Sequence, residues 1–338
     1  MKVFIDPEDD IQYMSFYIKG LFDLFGKENV SFRFHAFDEI PIEERYTRTM
    51  RVIIKKGVIE KRYVIDTNDN YRVNDVLYNW SDVYGSVNAN YAKTQECFHG
   101  KLVSLCPSFA IKYTGLGDAC VQAIRGGLKT HRNKKKYLGC WKRMIQRPQL
   151  EDYYYTEPQE NYVFHLSTLW QSDEWNRNDL GVNLRRSYFI RACKELRPQL
   201  LFEGGLVSYR TDSEAQQFAD CLCQRYCSED CLKQTKASAI VFNTPAYWDC
   251  HGWKLGEYMA LGKAVLSTPL SNDLPSPLVH GTHIHLVEDC SINAFEENVL
   301  FLMRNKDYRN KLEQNILKYW MKYGTPEASL KLLGITKH

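Results

Sequence analysis

The chain lacks any apolar run long enough to cross a membrane as a helix, which requires about 18 consecutive residues or more. It also lacks a strong charge of either sign. Its 44 Lys and Arg residues against 41 Asp and Glu residues give a net charge of +3, too small to indicate nucleic acid as a partner. The stretch from Met1 to Asp6 has only a short apolar run before acids appear. We therefore expect no signal peptide and a cytoplasmic location.

The cysteines lack the paired C-x2-C spacing that is typical of zinc sites. There are eleven, an odd number, and we expect them to be reduced. The tightest group contains Cys221, Cys223, Cys227 and Cys231. Its last three members recur every four residues, which favours buried thiols along one face of a helix. A zinc site is the alternative interpretation, and we expect no metal.

The length indicates two domains, because 338 residues exceed what one hydrophobic core usually serves. Residues 151–160 are polar, contain a proline and precede a strong strand pattern, so they read as a linker. We expect an N-terminal domain at residues 1–155 and a C-terminal domain at 156–322. Residues 323–338 form a tail that we expect to pack back on the N-terminal domain.

Strand and helix patterns roughly alternate in the first domain, which favours a mainly parallel sheet. Apolar residues at helical spacing predict helices at 11–25, ended by Gly26, and at 74–80. The predicted strands are residues 2–6, 30–37, 51–54, 61–66, 84–90 and 101–106.

The second domain shows a more regular alternation, which predicts a Rossmann-like unit. No G-x-G-x-x-G follows any of its strands, so the dinucleotide fingerprint is missing. The predicted strands are residues 161–169, 199–202, 236–242, 264–266 and 283–287, with a turn at Gly204 and Gly205. The predicted helices are residues 183–196, 213–227, 293–303 and 307–323.

The stretch of residues 243–270 reads as an irregular loop, a short helix ended by Gly262, and a short buried strand. Glu257 is unusual here because it interrupts an otherwise apolar helix turn, where a buried carboxylate needs a partner. Lys254, His251 and Asp249 precede it. Polar groups thus gather at the mouth of a loop and helix, where α/β folds place ligands.

This stretch resembles glycosyltransferase family 4. The residues from Lys254 to Thr268 are similar to the family pattern Lys-x-x-Glu-x-x-Ala-x-Gly-Lys-Pro-Val-x-x-Thr. Seven residues separate Asp249 from Glu257, where the family has Glu-x7-Glu. The chain departs from the pattern in having Asp at the first acid, Cys250 and His251 where Gly-Phe is usual, and Ala264 in place of proline. The likeness covers residues 161–325 and is only architectural before them.

The resemblance implies an α/β fold of the GT-B type, with two Rossmann-like domains facing each other across a cleft. It implies transfer of a sugar from a nucleotide-diphosphate sugar to a hydroxyl of a sugar or lipid-linked acceptor. The reaction would be retaining, would need no metal and no tightly bound cofactor, and would serve surface polysaccharide or glycolipid synthesis. Two alternatives stay open, a GT-B-fold sugar-nucleotide epimerase and a non-catalytic nucleotide-sugar-binding protein.

The resemblance also assigns roles to residues. Glu257 would bind the ribose hydroxyls, while Asp249 and the loop through Gly252 would face the transferred sugar. His251 departs from the family pattern, but its place between Asp249 and Glu257 suits a contact with the sugar or with the diphosphate. Asp249 and His251 are the catalytic candidates. Backbone N–H groups at Gly252 and Trp253 would lie near the diphosphate, as expected at a helix start. The candidates for the cations that neutralise the diphosphate are Lys254, Arg177, Arg185 and Arg186.

The segment from Lys129 to Arg147 carries eight Lys or Arg residues and no acid. One interpretation is a solvated loop and helix face. A second is a surface that contacts anionic lipid, with Tyr137 and Trp141 at the interface, which would make the protein peripheral on the inner face of a membrane. A third is a contact with the acceptor or with phosphate.

Overall fold

The computed structural model describes residues 1–170, 181–209 and 213–337. The chain folds into two compact units. Unit 1 comprises Met1–Tyr153, Asn272–Pro277 and Trp320–His338, and unit 2 comprises Tyr154–Ser271 and Leu278–Tyr319. Both units contain strands and helices, which confirms the α/β class predicted from the sequence.

Unit 1 contains a six-stranded sheet with the order β2-β1-β3-β4-β5-β6. Neighbouring strands are parallel except around β3, which runs antiparallel to both β1 and β4. The sheet is therefore mainly parallel, as the sequence predicts, with one reversed strand that it does not reveal. The strands are β1 (Lys2–Ile5), β2 (Val30–Phe32), β3 (Thr49–Lys56), β4 (Ile59–Asp66), β5 (Val83–Ser86) and β6 (Leu102–Ser104).

The first helix begins and ends where the sequence predicts. The Asp10 side chain accepts a hydrogen bond from the backbone N–H of Gln12, and Gly26 follows the last turn with φ of 82°. The predicted strand at residues 30–37 is wrong beyond Phe32, because a 3-10 helix occupies Phe34–Phe37. The first four helices are α1 (Ile11–Phe25), α2 (Asp75–Trp80), α3 (Leu116–Lys129) and α4 (Lys134–Ile145).

Within its described residues, unit 2 contains five strands, and all their paired neighbours are parallel. A bridge between Val163 and Ile240 connects the two-stranded and three-stranded parts, which gives the order β8-β7-β9-β10-β11. This order reverses between β7 and β9. The strands are β7 (Tyr162–Thr168), β8 (Leu201–Val207), β9 (Val241–Asn243), β10 (Val265–Ser267) and β11 (His285–Leu286).

An aromatic core holds the helices of unit 2 against this sheet. Phe189 stacks on Phe242 of β9 with ring centroids 4.3 Å apart, and Phe295 meets Phe242 edge-on at 5.2 Å. These contacts fix the position of α5 beside the strands. The remaining helices are α5 (Gly181–Glu195), α6 (Ser213–Gln216), α7 (Ser228–Ala237), α8 (Trp253–Ala260), α9 (Ile292–Arg304), α10 (Lys306–Tyr319) and, in unit 1, α11 (Pro326–Leu332).

The predicted helix at residues 213–227 is wrong. The α-helix α6 covers only Ser213–Gln216, a 3-10 helix follows at Ala219–Cys221, and Leu222 bridges Leu206 in parallel. Cys227 caps the start of α7, since its sulfur accepts the backbone N–H of Asp230. Cys223, Cys227 and Cys231 therefore do not share one helix face, and Cys227 is exposed. Within the described residues, no group of three His, Cys, Asp or Glu side chains could hold a metal ion.

No helix among the described residues combines the length and apolar character needed to span a membrane.

A buried ionic cluster lies at the start of β10. Lys263 is 1% exposed and donates a hydrogen bond of 3.0 Å to the backbone carbonyl of Lys236. Burial lowers the pKa of Lys263 to about 8, although Glu313 opposes the shift. Burial also raises the pKa of Glu313, whose carboxylate accepts the Tyr155 hydroxyl at 3.1 Å.

This cluster predicts a pH dependence of stability. A lysine in the unfolded chain titrates near about 10.4. Between about pH 8 and 10.4 the unfolded chain therefore binds more protons, and the free energy of unfolding rises with pH. Between about pH 7 and pH 10, urea denaturation should show the wild type gaining on the order of 3 kcal/mol relative to Lys263→Met. Lys306→Met, at an exposed lysine 3.0 Å from Glu160, should show no such difference. Parallel pH profiles for all three proteins would contradict the assignment.

Candidate functional site

Polar side chains follow the strands at the carboxyl edge of the unit 2 sheet. The Asn243 amide donates a hydrogen bond of 2.9 Å to the Ser267 hydroxyl. The buried hydroxyls of Thr244 and Thr268 share another of 2.9 Å. They join the ends of β9 and β10, next to the point where the strand order reverses between β7 and β9. In open parallel sheets, ligands bind in the crevice at such a point.

The loop after β9 has an unusual backbone. Trp248 and Asp249 both have φ of 58°, in the left-handed region that a bulky residue such as tryptophan rarely adopts. Three backbone hydrogen bonds close the loop, from Ala246 N to the Cys250 carbonyl at 2.8 Å, from Asp249 N to the Ala246 carbonyl at 3.1 Å and from Cys250 N to the Tyr247 carbonyl at 3.2 Å. Conformations of this kind persist where surrounding structure enforces them, and they cluster at functional sites.

This loop separates the two catalytic candidates by exposure. Asp249 is exposed, whereas His251 is 5% exposed and Cys250 beside it is buried. Sequence spacing alone suggested that both would face a ligand. The structure leaves the Asp249 carboxylate at the surface of the loop and encloses the imidazole of His251.

Helix α8 begins at the end of this loop. Gly252 is the N-cap residue and provides no side-chain cap to the first turn. The backbone donors and the positive end of the helix dipole at Trp253 suit an anion. Gly252 has φ of −69°, which any residue adopts, and an added Cβ would meet only Ala246, at 3.8 Å. Local packing therefore does not require glycine here.

Arg186 is a buried cation on α5, and it is 8% exposed. Its Nη1 donates a hydrogen bond of 2.9 Å to the carbonyl of Thr168, the last residue of β7. Its Nε has no hydrogen-bond partner among the described residues. Burial lowers the pKa of Arg186 to about 10, and the neighbours that oppose this shift are Cys250 and Tyr258, neither of which is a carboxylate. The guanidinium thus lies at the carboxyl edge of the sheet, and the described residues around it compensate its charge only weakly.

Lys254 and Glu257 lie one turn apart on α8, and both are half-buried. The ammonium of Lys254 is 4.0 Å from the Cys231 sulfur of α7. Burial alone would lower the pKa of Lys254, but Tyr258, Cys231 and Glu257 outweigh it and the pKa is raised. Glu257 therefore has a nearby cation within the protein, and its place in the helix does not require a ligand.

A further histidine, His165, lies on β7 and is buried, although the sequence did not single it out. It is hydrogen-bonded through Nε2 to the Ser167 hydroxyl at 2.9 Å. Burial, together with the positive charges of Lys254 and Arg186, holds the pKa of His165 well below its usual value. The charges of Lys254 and Arg186 thus both act on this residue of β7. A histidine inside an apolar strand was the only signal in the sequence, and such residues are commonly structural.

Arg185 and Arg177 are the other two residues predicted to neutralise the diphosphate. Arg185 is half-buried, and its buried Nε has no hydrogen-bond partner in the part of the chain that the structure describes. Its charge also reaches Cys290, where it opposes the rise in pKa that burial causes. Arg177 lies outside the described residues.

The loop after β1 in unit 1 holds a second buried ionic cluster that the sequence did not reveal. Asp6 accepts two hydrogen bonds from Arg45, at 2.8 and 2.9 Å, and one from Arg51 at 2.9 Å. Glu8 is fully buried and accepts the Thr130 hydroxyl at 2.6 Å and the backbone N–H of His131 at 2.8 Å. Because these acids have partners within unit 1, we assign the cluster to holding the loop in place.

Comparison with known proteins identifies no family. No protein-family model matches the chain, and the search of curated proteins returns no match. Among solved structures, the chain is similar to the C-terminal domain of a glycosyl transferase group 1 family protein, LpcC, from Francisella tularensis. That match has 16% identity and a TM-score of 0.35, and it covers 51% of this chain and 96% of that domain.

Two further matches are longer. HepE from Anabaena, solved in complex with UDP-glucose, is 12% identical with a TM-score of 0.39, over 80% of this chain and 97% of that one. A TarM variant from S. aureus, solved with UDP, is 12% identical with a TM-score of 0.43, over 80% of this chain and 50% of that one. Identities and TM-scores are low in all three matches.

Proposed function

We propose that unit 2 binds the diphosphate of a nucleotide-diphosphate sugar at the carboxyl edge of its sheet. We further propose that the protein is a glycosyltransferase that moves this sugar to a hydroxyl group of a sugar or lipid-linked acceptor. Surface polysaccharide or glycolipid synthesis is the process that we expect it to serve. The resemblance of the segment from Lys254 to Thr268 to glycosyltransferase family 4 motivates the reaction class.

The observation that carries the proposal is the burial of Arg186. Among the described residues, no carboxylate pairs with Arg186, and a buried cation without such a partner is costly to the folded protein. A diphosphate would provide the missing negative charge, and a guanidinium suits its oxygens because it donates several hydrogen bonds in a fixed plane. The α8 N-terminus provides further donors for the same anion, and a glycine that packing does not require leaves room for it to approach.

The remaining residues have roles within this proposal. Arg186 and Lys254, with Arg185 as a further candidate, would stabilise the charge that develops on the departing diphosphate, without a metal ion. Glu257 would accept hydrogen bonds from the ribose hydroxyls. Asp249 and His251 would contact the transferred sugar. Catalysis is then mainly a matter of positioning and of electrostatic stabilisation, and we expect retention of the anomeric configuration.

A ribose contact at Glu257 predicts selective loss of nucleotide binding. In Glu257→Gln the side chain keeps its size and loses its charge, so a nucleoside diphosphate should bind about 10- to 100-fold more weakly. Pyrophosphate has no ribose, and its affinity should change little. Calorimetric titration of both ligands measures the difference. Equal weakening of the two ligands would contradict a ribose contact and indicate a general electrostatic effect.

Turnover separates the proposed activity from its alternatives. A glycosyltransferase releases nucleoside diphosphate from the donor faster when a hydroxyl acceptor is present, and the product carries the sugar. An epimerase would isomerise the donor with no acceptor added, and a non-catalytic binding protein would bind it unchanged. Chromatography of donor incubated with and without saccharide acceptors distinguishes these results. Isomerisation without an acceptor would overturn the proposed reaction while leaving the donor site intact.

A further inference from the structure

Helix α3 in unit 1 buries its small residues and exposes its large ones. Ala119, Ala123, Gly126 and Gly127 form the buried face. The opposite side exposes Val121 by 46%, Ile124 by 61% and Leu128 by 74%. These three aliphatic residues follow helical spacing, so they form one continuous stripe. A surface helix normally turns such a stripe towards the core, and α3 does the reverse.

The packing of α4 explains the buried face of α3. A Cβ added at Gly126 would overlap the Tyr137 ring, so glycine is needed there for α4 to approach. Tyr137 and Trp141 are each 3% exposed and belong to the core of unit 1. The interpretation that placed these two aromatic residues at a lipid interface is therefore wrong. The exposed apolar groups of this region come from α3 instead.

The surroundings of the stripe are strongly basic. The acid on α3, Asp118, is paired with Lys27 at 2.6 Å, and no Asp or Glu occurs between residues 119 and 150. The exposed basic residues in that interval are Arg125, Lys129, Lys134, Lys135, Lys136, Lys142 and Arg143. Lys129 ends α3, and the three consecutive lysines begin α4 at the next turn of the chain. An apolar stripe on an exposed helix is thus bordered by positive charge, the pattern of a helix that lies in a membrane interface.

We propose that the α3 stripe, formed by Val121, Ile124 and Leu128, inserts into the surface of an anionic lipid bilayer, with the lysines of α4 over the headgroups. A second copy of the chain fits this face poorly. A symmetric dimer would bring the same uncompensated positive charge from both copies around one apolar contact. Anionic lipid accommodates both features, since acyl chains receive the aliphatic groups and phosphates attract the lysines. This inference is independent of the proposed donor site.

Vesicle sedimentation with the full chain tests the proposal. The wild type should bind vesicles of phosphatidylcholine mixed with phosphatidylglycerol, and it should bind pure phosphatidylcholine far more weakly. The double variant Ile124→Ser, Leu128→Ser should lose roughly tenfold or more in binding. Replacing Lys134, Lys135 and Lys136 with glutamine should lose about a hundredfold on the anionic vesicles. All five replaced residues are exposed, so these variants should fold normally.

The control is a matched pair of exposed aliphatic residues elsewhere in unit 1. Val58 is fully exposed and Ile59 is 67% exposed, at the turn between β3 and β4. The variant Val58→Ser, Ile59→Ser should bind anionic vesicles like the wild type. Three results would overturn the proposal. These are no binding by the wild type, loss of binding in the lysine variant alone, or a concentration-dependent dimer that Ile124→Ser, Leu128→Ser dissociates.

Discussion

Replacing Arg186 with methionine is expected to abolish tight binding of nucleoside diphosphates while leaving the free protein folded. The guanidinium is buried at the end of β7. The neighbours that oppose the lowering of its pKa by burial are Cys250 and Tyr258, and neither is a carboxylate. Its removal should weaken nucleoside diphosphate binding by at least about a hundredfold, because the ligand would lose a buried charge-assisted contact.

Stability should respond differently from binding. Removing a poorly compensated buried charge relieves a cost, while the Thr168 carbonyl loses the hydrogen bond that Arg186 gives it. These effects oppose each other, so the free energy of unfolding should change by less than about 2 kcal/mol. Calorimetric titration and urea denaturation of the same sample measure both quantities.

Arg191→Met is the matched control. Arg191 lies on the same helix and is already paired with Asp220, at 2.7 and 2.9 Å. Its replacement should leave nucleotide binding unchanged. If Arg186→Met bound nucleoside diphosphates as tightly as Arg191→Met and the wild type, Arg186 would not be the anion contact.

Alanine at Gly204 should prevent or severely weaken folding of unit 2. Gly204 lies in β8 with φ of 97°, and a methyl group there would overlap the backbone carbonyl oxygen of His165 on β7. Backbone atoms of a paired strand cannot move aside as a flexible side chain can. We expect a loss of more than about 3 kcal/mol, or insoluble protein.

The control for Gly204 is Gly57, in the turn between β3 and β4. It has φ of 62°, and an added Cβ would have no atom within 4 Å. Gly57→Ala should therefore cost only about 1–2 kcal/mol, from the backbone conformation alone. Thermal unfolding of both variants gives the comparison. Similar melting temperatures for the two would show that the contact with His165 is not decisive.

Predictions from sequence are accurate where the determining signals are local. Helix α1 carries its own start at Asp10 and its stop at Gly26, and both appear in the structure. Helix α8 likewise ends before Gly262, which has φ of 61°. A cap and a terminal glycine act on the residues beside them, so their effect can be predicted from the adjacent residues in the sequence.

Errors arose where distant residues decide the outcome. Gly204 and Gly205 predict a turn, but β7 pairs with this segment and β8 continues through Val207. The apolar spacing at residues 213–227 predicts a helix, yet the pairing of Leu222 with Leu206 draws part of the segment towards β8. The reversal of β3 also depends on which strands it joins. Tertiary pairing overrides local propensity in each of these cases.

In the sequence, Glu257 is the residue that indicates the candidate site. In the structure, the buried cation Arg186 is the stronger indication of an anion site. The motif located α8 and its preceding loop correctly, because that stretch is contiguous. It could not show that Arg186 rather than Arg185 is buried. Which of two adjacent arginines faces the sheet depends on how α5 packs against the strands, here through Phe189 on Phe242.

The most direct test of the donor site is a thermal-shift series of the wild type and Arg186→Met with UDP-, GDP-, ADP- and CMP-sugars. A ligand at about 100 times its Kd stabilises the folded state by about 2.7 kcal/mol, which is readily detected. We predict that at least one nucleotide-diphosphate sugar raises the melting temperature of the wild type and leaves that of Arg186→Met unchanged. Failure of every donor to shift the wild type, or an equal shift in both proteins, would contradict the proposed donor site.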